Sequence, residues 1–158
     1  MGGTARTLGA ATEDLTLRPG GDADAPEVLV LQRCCWVTEA IANDRLDIPA
    51  LHEELEDVRA WVGAAWLLRA GPRLVGGVRA SRTGDTWHIG RLMVAPDLRG
   101  RGLGSRLLAH AEASAPEEVR RFALFTGARS ERNLAMYERA GYARTGARDG
   151  VVHLEKPR

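Results

Sequence analysis

The stretch that decides the fold is residues 92–104, with the sequence LMVAPDLRGRGLG. Its apolar start, residues 92–94, is typical of a strand, and Pro96 ends that strand. The following apolar positions recur at helical spacing as far as Ala113. Three glycines at alternate positions join the strand to the helix: Gly100, Gly102 and Gly104.

A loop of this kind predicts a site for an anion. Glycines let backbone N–H groups approach a ligand closely. The start of the helix adds unsatisfied N–H donors and the positive end of the helix dipole. Arg99 and Arg101 add charge, so the loop suits a pyrophosphate.

Two other glycine-rich loops are excluded by the residues that follow. A P-loop ends in Gly-Lys-Ser or Gly-Lys-Thr, whereas Ser105 and Arg106 follow the last glycine here. A dinucleotide-binding loop has the pattern G-x-G-x-x-G. Its third glycine position is Ser105 when counted from Gly100 and Leu107 when counted from Gly102. The alternative that stays open is a turn before a helix that holds no ligand.

Outward from this stretch, periodicity divides the chain into strands and helices. Three runs separated by turns predict an antiparallel meander: Ala64–Arg69, Leu74–Ala80 and Trp87–Val94. The other predicted strands are Leu15–Arg18, Phe122–Phe125, Tyr142–Thr145 and Val151–Glu155. The predicted helices begin at a cap on Asp24, after Pro49, at Gly102 and at a cap on Ser130. No internal repeat or linker is visible, so we expect one mixed α/β domain over residues 14–158 after a flexible tail of residues 1–13.

Composition limits the classes of function. The 158 residues are 44% hydrophobic and 27% charged, which is typical of a globular protein. A net charge of +1 gives no bias toward nucleic acid or an anionic membrane. The start of the chain lacks the features of a signal peptide, and no apolar run approaches the ~20 residues that span a bilayer. The adjacent Cys34 and Cys35 fit neither a metal site nor a disulfide framework, so we expect a soluble cytoplasmic protein without a metal.

Residues 92–104 resemble the acetyl-CoA site of the GNAT superfamily of N-acetyltransferases. The family motif is Arg or Gln, two residues, Gly, one residue, then Gly or Ala, and Arg99, Gly102 and Gly104 match it. The family also places a strand ending in Val-x-Pro before the loop, as at 94–96 here. Residues 133–142, NLAMYERAGY, resemble a second family signature that ends in Gly-aromatic, with the alanine one or two places earlier than in many members.

The resemblance implies a fold and a reaction. The fold is of the α/β (α+β) type, with a central, mostly antiparallel twisted sheet of about six to seven strands and about four flanking helices. The middle strands splay apart so that pantetheine enters between them. The reaction transfers an acetyl group from acetyl-CoA, the co-substrate, to a primary amine by direct attack on the thioester.

The resemblance also assigns residues to the cofactor. The backbone of Met93 and Val94 is expected to bind the pantetheine arm, and Asn133 its chain. The pyrophosphate is expected on Arg99, Gly100, Arg101, Gly102, Leu103, Gly104 and Ser105. Tyr137, four residues after Asn133 on the same helix face, is expected to protonate the departing sulfur. The alternative for Tyr137 is a core residue whose hydroxyl meets water.

His88 is the candidate for the base that takes a proton from the amine. Some members of the family use a glutamate at this position, six residues before that of Val94. A histidine side chain has an ordinary pKa near ~6.5 and suits the task. Alternation predicts that His88, Gly90, Leu92 and Val94 share one strand face. A water chain, or an exposed histidine without a role, stays open.

The acceptor is not identified by the sequence. The first helices build the acceptor pocket in this family, which makes Trp36, Glu39 and the acidic run Glu53–Asp57 candidates. That run either attracts a cationic amine or is a solvated helix face. The acceptor is a small molecule or a protein, another acyl donor such as succinyl-CoA stays open, and so does a homodimer. A non-catalytic coenzyme A-binding sensor or assembly module is the alternative function.

Overall fold

A computed structural model describes residues 14–158, and the predicted tail, residues 1–13, lies outside the described residues. Seven strands form one mixed sheet: β1 (Leu15–Pro19), β2 (Ala65–Ala70), β3 (Arg73–Thr83), β4 (Thr86–Val94), β5 (Arg121–Gly127), β6 (Ala143–Arg148) and β7 (Val151–Pro157). Five helices accompany them: α1 (Ala25–Asn43), α2 (Pro49–His52), α3 (Leu55–Val62), α4 (Leu103–Ala113) and α5 (Glu131–Arg139).

The sheet order is β1-β2-β3-β4-β5-β7-β6. All neighbouring strands run antiparallel except β4 and β5, which are parallel. The predicted meander of β2, β3 and β4 and the predicted closing hairpin of β6 and β7 are both confirmed. The sheet therefore has the expected, mostly antiparallel form.

The expected splay is present between β4 and β5. These strands pair at only three positions, the last of which joins His88 to Ala123. Beyond that pair, the rest of β4 up to Val94 and the rest of β5 up to Gly127 have no register with each other. The divergence opens a cleft at the middle of the sheet.

A bulge in β4 corrects the predicted alternation along this strand. Gly77 lies opposite Met93, but Arg79 lies opposite Gly90, so β4 contains one extra residue between the two pairs. The extra residue is accommodated at Arg91, whose φ of +49° is left-handed. His88 and Gly90 therefore do not continue onto one face with Leu92 and Val94.

The core lies on both faces of the sheet. The predicted inner face of α1 is confirmed, because Val28, Leu31, Gln32 and Cys35 are all buried. On the opposite face, α4 packs on β3 and β4 and Trp87 Nε1 donates a hydrogen bond to the Ala111 carbonyl at 2.8 Å. The helices thus hold β4 firmly at the edge of the cleft.

The helix predicted after Pro49 is two helices, because the chain is extended at Glu53 and Glu54. The break lets the Glu53 side chain turn inward. The two predicted caps are also wrong in detail, since neither Asp24 nor Ser130 makes a side-chain capping bond. Asp24 instead accepts hydrogen bonds from Arg18 at 2.6 and 2.9 Å. No helix within residues 14–158 is long and apolar enough to cross a membrane.

Candidate functional site

A cavity of about 1090 Å³ opens where β4 and β5 diverge. Its walls come from α1, β3, β4, β5, β7, α5 and the glycine loop between β4 and α4. The cavity brings together most of the residues that the sequence singled out. They are His88, Val94, Arg99, Gly100, Gly102, Leu103, Gly104, Ser105, Asn133 and Tyr137.

The glycine loop presents backbone donors to this cavity. Gly100 and Gly102 both have φ of +77°, a left-handed conformation that favours glycine. Gly102 precedes α4 without a side-chain cap, and its carbonyl accepts the hydrogen bond of Arg106 N–H at 3.1 Å. The N–H groups of residues 103–105 lie before this first hydrogen bond of the helix. They have no partner within α4 and are open to an anion.

The third glycine has a packing role. A Cβ on Gly104 would lie 3.0 Å from Met136 Sδ of α5, so glycine lets the start of α4 approach α5 closely. Arg101 is exposed and does not line the cavity, in contrast to Arg99. Of the two arginines predicted for the pyrophosphate, the structure brings only Arg99 to the cavity wall.

Among the further arginines that line the cavity, three come from α5 and the loop before it, and the sequence did not point to them: Arg129, Arg132 and Arg139. Arg132 and Arg139 are seven residues apart, which is two turns of α5, and this spacing is the signal that could have found them. The Arg132 guanidinium lies 4.0 Å from the Cβ position of Gly100. Guanidinium groups match phosphate oxygens in geometry and charge, so this part of the cavity suits an anion.

The backbone of β4 faces the cleft at Val94. Ala95 N–H points toward β3, where it donates to the Val75 carbonyl at 2.8 Å. Neighbouring residues of a strand point in opposite directions, and the Val94 carbonyl accepts a hydrogen bond from Cys35 Sγ at 3.3 Å on the cleft side. Met93 lies opposite Gly77, is 1% exposed and does not line the cavity, whereas Leu92 does.

Asn133 belongs to a polar network that joins α1 to α5. Its side-chain N–H donates to Glu39 Oε1 and to Thr126 Oγ1, both at 3.2 Å. The Ser130 hydroxyl donates to the other oxygen of Glu39. Asn43 donates to the Ser130 hydroxyl at 2.9 Å. Glu39 therefore positions Asn133 at the cavity wall, which explains why Ser130 does not cap α5.

Tyr137 lies beside this network and is 6% exposed. Its ring packs edge-to-face on Tyr142, with 6.1 Å between the ring centroids. Within residues 14–158 its hydroxyl has no hydrogen-bond partner. Burial, with a smaller contribution from the charge of Glu39, raises the pKa of Tyr137, so the hydroxyl keeps its proton at neutral pH. The arrangement leaves a protonated donor at the cavity wall.

Two histidines line the cavity. His88 is exposed and lies at the point where β4 and β5 separate. His153 of β7, which the sequence analysis missed, packs on Phe125 with 5.8 Å between ring centroids. Both are placed where they can exchange protons with a ligand in the cavity.

The acidic run Glu53–Asp57 does not line the cavity, although Trp36 and Glu39 do. Glu53 is turned inward and accepts hydrogen bonds from Arg91 at 2.6 Å and from Gln32 at 2.7 Å. Burial raises the pKa of Glu53, but these hydrogen bonds outweigh it and hold the pKa below its ordinary value. No carboxylate of this run is therefore presented to a cationic acceptor.

Comparison with known proteins gives one family. Residues 26–142 match the model of the acetyltransferase (GNAT) family. No curated protein matches the sequence significantly.

Solved structures share the fold at low sequence identity. The PaiA N-acetyltransferase of Thermoplasma acidophilum, in complex with coenzyme A, has a TM-score of 0.82 at 13% identity and covers 92% of this chain and 99% of its own. The GNAT domain of PAT from S. lividans has a TM-score of 0.75 at 24% identity, with 90% and 89% covered. YncA of Salmonella typhimurium, with acetyl-CoA, has a TM-score of 0.70 at 15% identity, with 92% and 94% covered.

Proposed function

The chain belongs to the acetyltransferase (GNAT) family, and from this premise we propose that it transfers the acetyl group of acetyl-CoA to a primary amine. One observation carries the proposal. The cleft between β4 and β5 ends at a glycine loop whose backbone N–H groups, with the start of α4, suit an anion. A thioester in the cleft and a pyrophosphate on the loop would belong to one extended molecule.

The residues of the cavity fit coenzyme A in three ways. The loop and the arginines Arg99, Arg129 and Arg132 suit its phosphates. The unpaired edge of β4 at Leu92 and Val94 suits the amide groups of pantetheine. Asn133 offers an amide to the same arm. The structures of PaiA with coenzyme A and of YncA with acetyl-CoA support this assignment by fold.

The chemistry begins with the acceptor amine, which arrives protonated. His88, or a water chain that it anchors, takes one proton, and the free nitrogen attacks the thioester carbonyl. The C–N bond forms, the C–S bond breaks and the nitrogen loses its second proton to water, from which Tyr137 regains the proton that it gives to the sulfur. Tyr137 donates a proton to the departing sulfur, so the products are an N-acetylated amine and coenzyme A as the free thiol.

The position of Tyr137 at the cavity wall supports its part in this reaction. The Tyr137 hydroxyl is protonated at neutral pH, since burial only raises its pKa. Its lack of a hydrogen-bond partner within residues 14–158 leaves the proton free for the sulfur.

The proposal includes a cytoplasmic location, which is supported by the two free thiols of Cys34 and Cys35.

Two measurements test the proposal. Acetyl-CoA at ~100 times its dissociation constant should stabilise the folded state by about 2.7 kcal/mol, which a thermal melt detects. A panel of primary amines should then release free coenzyme A thiol. A melt that ignores acetyl-CoA would remove the cofactor assignment. Binding of acetyl-CoA without turnover on any amine would favour the non-catalytic sensor or assembly module.

A further inference from the structure

Arg79 of β3 is a half-buried guanidinium that lines the cavity. It stacks on Trp61, with 5.5 Å from its Cζ to the ring centroid. It also crosses the neighbouring strand at Gly90, where a Cβ would lie 3.9 Å from its Nη2. Within residues 14–158 no carboxylate lies within 4.0 Å of Arg79. Burial and the nearby charge of Arg91 lower its pKa, so this placement is unfavourable without an anion.

The neighbouring Arg91 does not leave a carboxylate for Arg79. Arg91 donates to Glu53 at 2.6 Å and stacks on Trp36 at 5.8 Å. The remaining capacity of Glu53 is used by Gln32 at 2.7 Å and Trp61 at 3.2 Å. The Glu53 carboxylate is therefore taken up by Arg91, and among the described residues the charge of Arg79 has no carboxylate partner within 4.0 Å.

A second donor beside Arg79 is also unused. The Nε atom of Arg91 is buried and has no hydrogen-bond partner within the described residues. An unpaired buried donor costs about 1–3 kcal/mol, so a partner is expected. Packing alone does not explain the pair, because an apolar side chain over Trp61 would avoid the cost of burying a charge.

We infer that the acceptor amine also carries an acidic group, a carboxylate, phosphinate or phosphonate, and that Arg79 binds this group. The inference rests on the proposed function and names its substrate class. A guanidinium binds such groups through paired N–H donors. The acceptor is therefore a small amino acid or a phosphorus analogue of one, and not a plain polyamine.

The position of Arg79 sets the size of this acceptor. Arg79 lies opposite Gly90, two residues before Leu92, where the β4 edge meets the cleft. Two strand residues span about 7 Å, so a nitrogen that reacts beside Leu92 would be only a few bonds from an acidic group held by Arg79. The pyrophosphate loop lies farther away, since Gly90 to Val94 alone spans about 13 Å. Arg79 is thus placed for the acceptor and not for the cofactor.

The test uses matched pairs of acceptors on the full chain. Each of the standard L-amino acids is compared with its primary amide, and 2-aminoethylphosphonate with ethylamine. Release of coenzyme A thiol gives kcat and KM for each. We expect at least one acid-bearing amine to exceed its uncharged partner about 10-fold or more in kcat/KM, as for a charge-assisted contact.

Three variants test whether the preference for acid-bearing amines depends on Arg79. Arg79→Gln and Arg79→Met, which keeps an unbranched side chain over Trp61, should raise KM for the acid-bearing amine roughly 10- to 100-fold and change KM for the uncharged amine much less. Arg82→Gln is the matched control. Arg82 lies on the same strand, is 43% exposed, pairs with Glu118 and does not line the cavity. Arg82→Gln should have the same kcat and KM for both acceptors as the parent chain.

The outcomes separate the inference from the proposed function. If acetyl-CoA stabilises the chain but no acid-bearing amine exceeds its partner 10-fold, the inference is wrong. It is also wrong if folded Arg79 variants weaken both acceptors alike. If acetyl-CoA itself does not bind, the proposed function fails and the substrate class with it.

Discussion

His88 and Ala123 form the last backbone pair between the parallel strands β4 and β5. Beyond this pair the strands diverge and the cavity begins. The position gives His88 a fixed backbone and a side chain at the entrance of the cleft. A histidine held in this way can take a proton from an amine that approaches a thioester between the strands.

We predict that His88→Gln lowers kcat by about 100-fold near neutral pH and flattens the acidic side of its pH profile, since general base catalysis is lost. His153→Gln is the matched control, because His153 lines the same cavity from β7. Rate profiles from pH 5 to 9 on both variants check this. A flattened profile in the His153 variant alone would transfer the role to His153.

The two packed tyrosines give a second test. Tyr137→Phe keeps the ring and removes the proton donor, so kcat should fall about 100- to 10,000-fold with little change in acetyl-CoA affinity. Tyr142→Phe should keep kcat, because the Tyr142 hydroxyl donates to Glu112 at 2.8 Å and serves the fold. That variant should lose about 1–3 kcal/mol of unfolding free energy. An unaltered kcat in Tyr137→Phe would show that the thiolate leaves unaided or that another group protonates it.

A charge change at the start of α4 tests the anion site without harming the helix. Ser105 is exposed at the third position of α4 and lines the cavity. Ser105→Asp complements the helix dipole by about 0.3–1 kcal/mol, but it should repel the pyrophosphate and weaken acetyl-CoA binding roughly 10-fold or more. Ser105→Asn, of the same size without charge, should change the affinity little. Calorimetry that finds equal affinities in both variants would move the pyrophosphate away from this loop.

Asp24 makes stability depend on pH. Hydrogen bonds from Arg18 lower the pKa of Asp24 from 3.8 to about 2, although its burial opposes this. A lowered pKa in the folded state stabilises the protein above pH 3.8, and this contribution of about 2 kcal/mol is lost as the pH falls toward 2.

Asp24→Asn should therefore lower the unfolding free energy by about 2 kcal/mol at pH 7, and the difference from the parent chain should close below pH 4. Asp22→Asn is the control, because Asp22 is 75% exposed and makes only a surface ion pair with Arg59, at 3.4 Å. It should shift stability by no more than about 0.5 kcal/mol. Denaturant titrations at several pH values check both, and a constant loss in Asp24→Asn across the range would contradict the assignment.

The sequence predicted the strands and helices well because their hydrophobic patterns are local. The glycine loop was predictable for the same reason, since its conformation depends on three glycines within five residues. Asp24 and Ser130 were predicted as caps, but their oxygens are used by Arg18, Glu39 and Asn43 from other elements. Propensity at a helix end cannot anticipate such partners.

The acceptor side of the cavity was beyond prediction. The bulge at Arg91 depends on how β4 pairs with β3, and nothing in the sequence around it requires a left-handed residue. The inward turn of Glu53 follows from the break between α2 and α3, whereas the sequence suggested one helix. Arg79 reaches the cavity only because it lies opposite Gly90. Each of these facts depends on residues far apart in the chain.

The most direct test of acetyl transfer is a measurement of both products in one reaction. The protein is incubated with acetyl-CoA and an acid-bearing amine, and mass spectrometry quantifies the N-acetylated amine while a thiol reagent quantifies coenzyme A. We expect equal amounts of the two products, formed in proportion to enzyme and nearly abolished in Tyr137→Phe. Release of thiol without an acetylated amine, or tight binding of acetyl-CoA with neither product, would contradict it.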